Sequence, residues 1–466
     1  MNHFECFPKF KGGKEMKKKF SILAFLLIFS LLLAACSGGG KKESNGSKDD
    51  GDKKDEGLAP VEMLHDSSLE GEITVWSWGA WEEQIEIFNE LYPNIKVNLV
   101  QQEIGALHDN LQTTLTAGKG APDVSHVLNV DRYGTPGLLE DLLDPQYDMG
   151  RYKHLAEPYV WERWMSLDGK RLLAPPWDIG SGVFYYREDI YEQMGLPSDP
   201  EELGEFLQDP ENVFQAAQTL AANDIYMYEF RDSPAIQYGD AVGYFDENLN
   251  YMRNDERMIE LLDYVKRGVQ LGWAPQLSAF FSEEGNNLLK QGKIASLPVA
   301  SNAYQQFSRV VPEQSGKWRA TKMPFGVNVS LVGSSWVIPS QSQQKDAAFA
   351  FVEFMSVNEE AWKLYQEGGI QTGWKHIAEL PWYQEYENEY FGGQKDFAFY
   401  NTLVPELPVR RYTPLDGAAW PLYIDKINES IDKNIDSRTT LQQIEDNTMK
   451  QLESDIEKLK EEYGIE

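Results

Sequence analysis

The sequence predicts an α/β fold, a parallel sheet covered by helices on both faces. Short apolar runs of strand length alternate with stripes at helical spacing, and the connections between them are brief and marked by Pro, Asn or Gly. The first unit sets the pattern. Residues 73–76 (ITVW) read as a strand, and Trp81, Ile85, Phe88 and Tyr92 recur along one face of a helix over 80–92. Pro93-Asn94 ends that helix, residues 95–100 form a second strand, and Leu107, Leu111 and Leu115 mark a helix closed by Gly118. The run PDVSHVLNV after Ala121 is a third strand.

Further along, GVFYYRED from Gly182 is strand-like. Helical stretches follow at 201–207, 212–222 and 257–269, and a short strand returns near Ile294. GSSWVIP from Gly333 is another strand, and KDAAFAFVEFMSVNEEAWKLYQEGG after it is one long helix. The last helix runs from about Leu441 to Tyr463, with Leu441, Ile444, Leu452, Ile456, Leu459 and Tyr463 on one face and Thr440 with Gln443 as a capping box.

The amino terminus carries a different signal. Lys17, Lys18 and Lys19 precede an apolar run from Phe20 to Leu33, which is short for a membrane span and ends in Ala34-Ala35-Cys36. Residues 1–35 read as a signal peptide whose functional start is Met16, because the segment before it has no targeting logic. Residues 37–57 hold no group able to build a core, so 36–67 reads as a lipidated cysteine and a disordered tether. The only cysteines are Cys6 and Cys36, which leaves the folded part without disulfide or thiol chemistry.

The chain of 466 residues has room for two or three domains, and its net charge of −31 argues against nucleic acid as a partner. No GxGxxG, P-loop, HExxH or GxSxG motif is present. His65, His108, His126, His154 and His376 are scattered, so no metal site and no cofactor are expected. What the composition does favour is aromatic recognition, with 13 Trp, 23 Tyr and 22 Phe. Trp78, Trp177 (beside Asp178), Trp374 and Trp420 fall in apparent loops, and Trp336 lies in the GSSWVIP strand. Aromatic walls beside Asp, Arg and Asn suit a ring with an apolar face and polar edges, as in a pyranose.

Several segments carry a resemblance to a known family. They are ITVWSW with IEIFNELYPNIKV, APDVSHVLNVDRYGTPGLLEDL, APPWDIGSGVFYYREDIYEQMGLP, LLKQGKIASLPVASNAYQQF, and GSSWVIP through QTGW. In this order and spacing the chain from about Gly71 resembles the extracellular solute-binding lipoproteins that include maltose-binding protein, the capture subunits of sugar ABC importers. The resemblance implies a periplasmic-binding-protein-like fold of two discontinuous α/β lobes joined by a hinge, with the ligand between them. Lobe one would be 68–182 plus 328–383 and lobe two 183–327 plus 384–466. The crossings would lie near 182–186, 323–329 and 381–390. VDRYG matches the segment that carries hydroxyl ligands in maltose-binding protein, which makes Asp131 and Arg132 candidate ligands. Trp420 falls at a sugar-stacking position; Asn302 stands where another stacking residue is found, with Tyr304 two residues on.

The resemblance implies a monomeric carbohydrate binder, for an oligosaccharide above all, with no enzymatic activity. It would be held on the outer face of the membrane by a lipid on Cys36 and would deliver its ligand to ABC permease subunits. Two other readings stay open: the same fold for a polyamine, iron or a glycerol phosphoester, and a lipid-anchored polysaccharide hydrolase. Within WSWGAW, strand alternation puts Trp76 and Trp78 on one side. Trp76 is expected beneath helices, Trp81 in the core, and Trp78, past the carboxyl end of its strand, on the ligand.

Overall fold

The computed structural model describes residues 61, 63 and 66–465; the apolar leader, Met16, Cys36 and the segment 37–57 lie outside the described residues. Two sheets organise the chain. The first has the order β2-β1-β3-β8, from β1 (Gly71–Ser77), β2 (Ile95–Gln101), β3 (Val124–Val127) and β8 (Ser335–Val337). β2 and β3 flank β1 in parallel, joined by α1 (Glu82–Leu91) and α2 (Ile104–Ala117), whereas β8 is antiparallel to β3. The two helices supply the crossover connections that parallel neighbours require. β8 arrives from a distant stretch of the chain and completes the sheet in the opposite sense, a departure from the all-parallel expectation.

Local sequence explains these boundaries. Ile73, Val75 and Ser77 of β1 are buried while the residues between them are not, the period-2 pattern of a sheet covered more on one side. Trp76 therefore lies half-buried on the more open face, not beneath helices as expected. α2 ends where Gly118 takes a left-handed conformation (φ 68°) and its N–H returns to the Leu115 carbonyl.

The second sheet is built on β4 (Asp178–Arg187), flanked by β5 (Ser296–Ala300) and β6 (Trp318–Thr321), all antiparallel to it. Two short strands, β7 (Ser330–Val332) and β9 (Gln371–Thr372), pair with the start of β4. The ten residues of β4 thus change partners along their length. Asp178 and Ile179 face β9, Gly180 and Ser181 face β7, and Gly182 to Tyr186 face β5. The register breaks between Gly180 and Ser181, and Gly182 N–H donates to the Val329 carbonyl at 2.7 Å. All ten residues are buried. Val183 and Tyr185 join the apolar cluster that also contains the first sheet, while Phe184 and Tyr186 join a second cluster with the carboxyl-terminal helices.

Three helical expectations change. The predicted long helix after β8 is two helices, Lys345–Val357 and Glu359–Glu367, because Asn358 leaves the helical conformation and caps the second with its side chain. The terminal helix is also two, Ser437–Gln451 and Glu453–Tyr463. Its cap is Asp436, which accepts from Thr439 N–H at 2.8 Å; Thr440 lies inside the helix and bonds Ser430 Oγ at 2.8 Å. Trp420 is not in a loop but in the first turns of the helix Asp416–Lys433.

Candidate functional site

The WSWGAW turn closes β1 at its carboxyl end. Trp81 folds back beneath it, and its indole N–H donates to Ser77 Oγ at 2.7 Å. This reversal requires Gly79, since a Cβ there would lie 2.4 Å from Trp81 Cζ2. Trp81 is 5 % exposed and meets Trp177, Trp336 and Tyr365 edge-on, with ring centres 5.5–5.8 Å apart. Trp78, two residues after Trp76, stays half-buried, and one face of its indole stacks on His126 at 3.7 Å and 12°.

A second part of the site is the turn after β3. Asp131, Arg132 and Tyr133 form a single 3-10 turn. Arg132 is exposed. Asp131 is half-buried, and its Oδ1 is buried without a hydrogen-bond partner among the described residues. Burial, reinforced by the charge of Asp416, pushes the Asp131 carboxyl up to about 7. Asp131 shares a narrow cavity with Tyr412 and Tyr463, which come from the other end of the chain. Arg171 donates to the Gly134 carbonyl at 2.6 Å and fixes the turn from behind.

Against the Asp131 turn lies the segment 408–415, whose Tyr412 and Pro414 line the same cavity. Two guanidinium groups lie over the Tyr412 ring, Arg410 at 4.0 Å and Arg163 at 4.9 Å from its centre. Arg163, on the turn after α3 (Pro158–Glu162), also donates to Tyr159 Oη and Asn129 Oδ1, each at 3.0 Å. Arg411 pairs with Glu162 through Nη2 at 2.6 Å, and Arg410 lies 3.6 Å from Asp416. Nothing in the periodicity of LPVRRYTPLD announced this, because its order comes from ion pairs and ring contacts, not from a repeating apolar face.

The remaining expected residues separate into groups. Trp177, Trp336 and Trp374 are 1 %, 0 % and 0 % exposed, so their ring faces are taken by protein neighbours and not offered as cleft walls. Asp178 is buried as well; its Oδ1 accepts from the Ser334 N–H and, at 3.0 Å, from Ser334 Oγ. Burial raises its pKa to about 6 against those bonds. Asn302 and Tyr304 follow β5, and Tyr304 meets Tyr390 and Phe391 edge-on. Trp420 is half-buried, one turn along the helix that begins at Asp416, the residue whose charge acts on Asp131. The structure thus brings Asp131 together with the start of the Trp420 helix, and sets Trp78 above the buried Trp336 with His126 between them.

A family model described as bacterial extracellular solute-binding protein matches residues 83–390. The chain belongs to this family. As a solute-binding protein it is similar to the arabinooligosaccharide-binding protein of Bacillus subtilis (strain 168), 26 % identical over 323 residues that cover 64 % of this chain and 72 % of that one. It is also similar to the arabinooligosaccharide-binding protein of Halalkalibacterium halodurans, 23 % identical over 377 residues, covering 74 % and 81 %. Among solved structures it shares the fold of an extracellular solute-binding protein of family 1, with a TM-score of 0.71 at 18 % identity over 81 % of this chain and 99 % of that one. The galacto-N-biose/lacto-N-biose I-binding protein of Bifidobacterium longum matches with a TM-score of 0.67 at 18 % identity, covering 83 % and 98 %.

Proposed function

We propose that this solute-binding protein captures an oligosaccharide, of the arabinose-rich class its curated relatives are named for, and hands it to an ABC permease. The observation that carries the reading is a half-buried indole, Trp78, whose ring lies 6.1 Å from that of His108, while His108 Nδ1 shares a 2.7 Å hydrogen bond with Tyr133 Oη in the turn that holds Asp131, a carboxylate whose Oδ1 has no hydrogen-bond partner among the described residues. An indole face covers the apolar C–H face of a sugar ring, and a desolvated carboxylate gains from two hydroxyl donors. Trp420, Asn302 and Tyr304, all within the second proposed lobe, would meet the ligand from the side opposite Trp78, Asp131 and Arg132. Two lobes, 68–182 plus 328–383 and 183–327 plus 384–466, would close on the ligand about the segment where β4 changes partners.

A hydrolase reading finds less support. Ser77, His126, Ser334 and Asp178 include the residue types of a nucleophilic triad, yet Ser77 and Ser334 are 0 % and 4 % exposed and both hydroxyls are held inside the protein.

The test is calorimetry of the purified protein against arabinotriose, galactobiose, maltotriose and spermidine, with an assay for new reducing ends. Binding of arabinotriose without cleavage is the expected result. Binding of spermidine alone, or release of reducing ends, would replace the reading. Anchoring is tested separately: Cys36→Ala is expected to leave the membrane fraction, and its retention there would count against a lipid on that residue.

A further inference from the structure

We infer that His126 is the positioning residue for Trp78, a shelf whose plane is fixed by hydrogen bonds at both ring nitrogens. This rests on the reading of Trp78 as a sugar platform. His126 is the middle ring of a three-layer stack. Trp78 lies above it at 3.7 Å and 12°, and Trp336 lies below at 4.3 Å and 13°. Trp336 in turn is wedged edge-on between Trp81 and Phe351 at 5.8 and 5.9 Å. The lower rings are fully enclosed, so the shelf cannot sink.

The hydrogen bonds also fix which nitrogen carries the proton. Ser77 Oγ already accepts two N–H groups, from Trp81 Nε1 at 2.7 Å and Gly79 at 3.1 Å. Its own proton is therefore directed to His126 Nδ1, 3.1 Å away. Nδ1 is the acceptor, so the imidazole proton is on Nε2 and donates to Ser334 Oγ at 2.9 Å. Ser334 Oγ in turn donates its O–H to Asp178 Oδ1 at 3.0 Å. Every donor in the line from Trp81 to Asp178 has one acceptor, and the order reverses nowhere. An additional proton on Nδ1 would face a hydroxyl already saturated with donors, and burial itself drives the His126 pKa well below the usual histidine range. The ring is thus neutral, with one tautomer and one plane. A free imidazole could rotate about its Cβ–Cγ bond and tilt the indole resting on it; this one cannot. The line ends on Asp178, the first residue of β4, so the orientation of the Trp78 shelf is tied directly to the strand that changes partners.

The test uses the full chain labelled with 5-fluorotryptophan, the Trp78 fluorine line being assigned by its loss in Trp78→Phe. In His126→Ala the Trp78 line is expected to move toward the position of free 5-fluorotryptophan, while the line of Trp273, in the other apolar cluster, stays in place. Arabinotriose affinity should fall about three- to tenfold, the scale of one aromatic stacking contact, and the same substitution made in Trp78→Ala should change affinity no further. His126→Phe restores a flat ring and is expected to recover part of both signals. Should His126→Ala fail to fold, Ser334→Ala, which frees the Nε2 side, must still shift or broaden the Trp78 line. An unmoved Trp78 line in the folded variant overturns the inference, as does an equal loss of affinity with and without Trp78. If the line moves but Trp78→Ala binds arabinotriose as tightly as the parent protein, the sugar-platform reading fails while the positioning of the ring stands.

Discussion

Replacing Trp78 by Ala removes a half-buried ring that rests on His126, whereas replacing Trp81 by Ala empties a slot shared with Trp177, Trp336 and Tyr365. The two changes should therefore separate binding from stability. Trp78→Ala is expected to weaken sugar binding by roughly 1–3 kcal/mol with a melting temperature close to that of the parent. Trp81→Ala is expected to cost about 3–5 kcal/mol of folding stability. Calorimetry and denaturant titration read the two quantities, and a large stability loss in Trp78→Ala would show that its packing on His126 is structural first. Asp131 adds a pH signature. Its pKa rises from 3.8 to about 7 on burial, so between those values the folded protein holds a proton that the unfolded chain has released. The contribution of Asp131 to stability accordingly falls as pH rises from about 4 to 7 and is level above. Asp131→Asn should become progressively more stable relative to the parent across that window; parallel stability curves for the two proteins would contradict the assignment. At this scale the sequence exposed the role of Trp81 through its helical spacing, and Asp131 only through a family resemblance. Arg163, Arg410 and Tyr412 left no trace in it, because ring and guanidinium contacts between distant segments have no periodicity to read.

Among the elements, the early β–α–β units were legible because each carries its own pattern and its own stop signal, as with Pro93 and Gly118. Three features were not, each for a definite reason. β8 is antiparallel to β3 because its direction is set by a connection some two hundred residues long, which no local pattern encodes. Trp420 looked like a loop residue because Pro421 follows it. Here the proline sits early in the helix, and the Gly417 carbonyl that it deprives of a helical N–H donor is on an exposed residue, open to solvent. Thr440 with Gln443 fits a capping box before Leu441, but Asp436 lies four residues earlier and its carboxylate takes the Thr439 N–H. Asp436→Ala should cost about 1 kcal/mol and Gln443→Ala, at an exposed position, close to nothing. Chemical denaturation of the two variants decides between the caps, since the capping-box assignment would put a cost on Gln443.

For the whole molecule, the two apolar clusters meet along β4, where Val183 and Tyr185 serve one and Phe184 and Tyr186 the other. β4 also passes from pairing with β9 and β7 to pairing with β5 and β6, and the register break between Gly180 and Ser181 is a suitable pivot for the closure proposed above. Ligand is then expected to reduce the radius of gyration measured by small-angle scattering. An identical scattering curve with and without saturating arabinotriose would remove the hinge from the proposal. With the proposed lobe boundaries, the Asp131 turn and Tyr463, and likewise Glu162 and Arg411, fall on opposite lobes, so closure is expected to change these contacts.

The edge-on indoles beneath the WSWGAW turn have an optical consequence. Trp81, Trp177 and Trp336 hold their ring centres 5.5–5.8 Å apart at steep mutual angles, and all three belong to the cluster around the first sheet. Indoles this close and this skewed share their electronic excitation, and a chiral arrangement of coupled transition dipoles gives a paired positive and negative band in circular dichroism. Among the described residues, Trp273, in the other cluster, has Phe214 and Tyr228 as ring neighbours and no indole partner. The exciton couplet of this protein therefore belongs to one half of its core. It reports, without any label, whether that half is folded while the other is not.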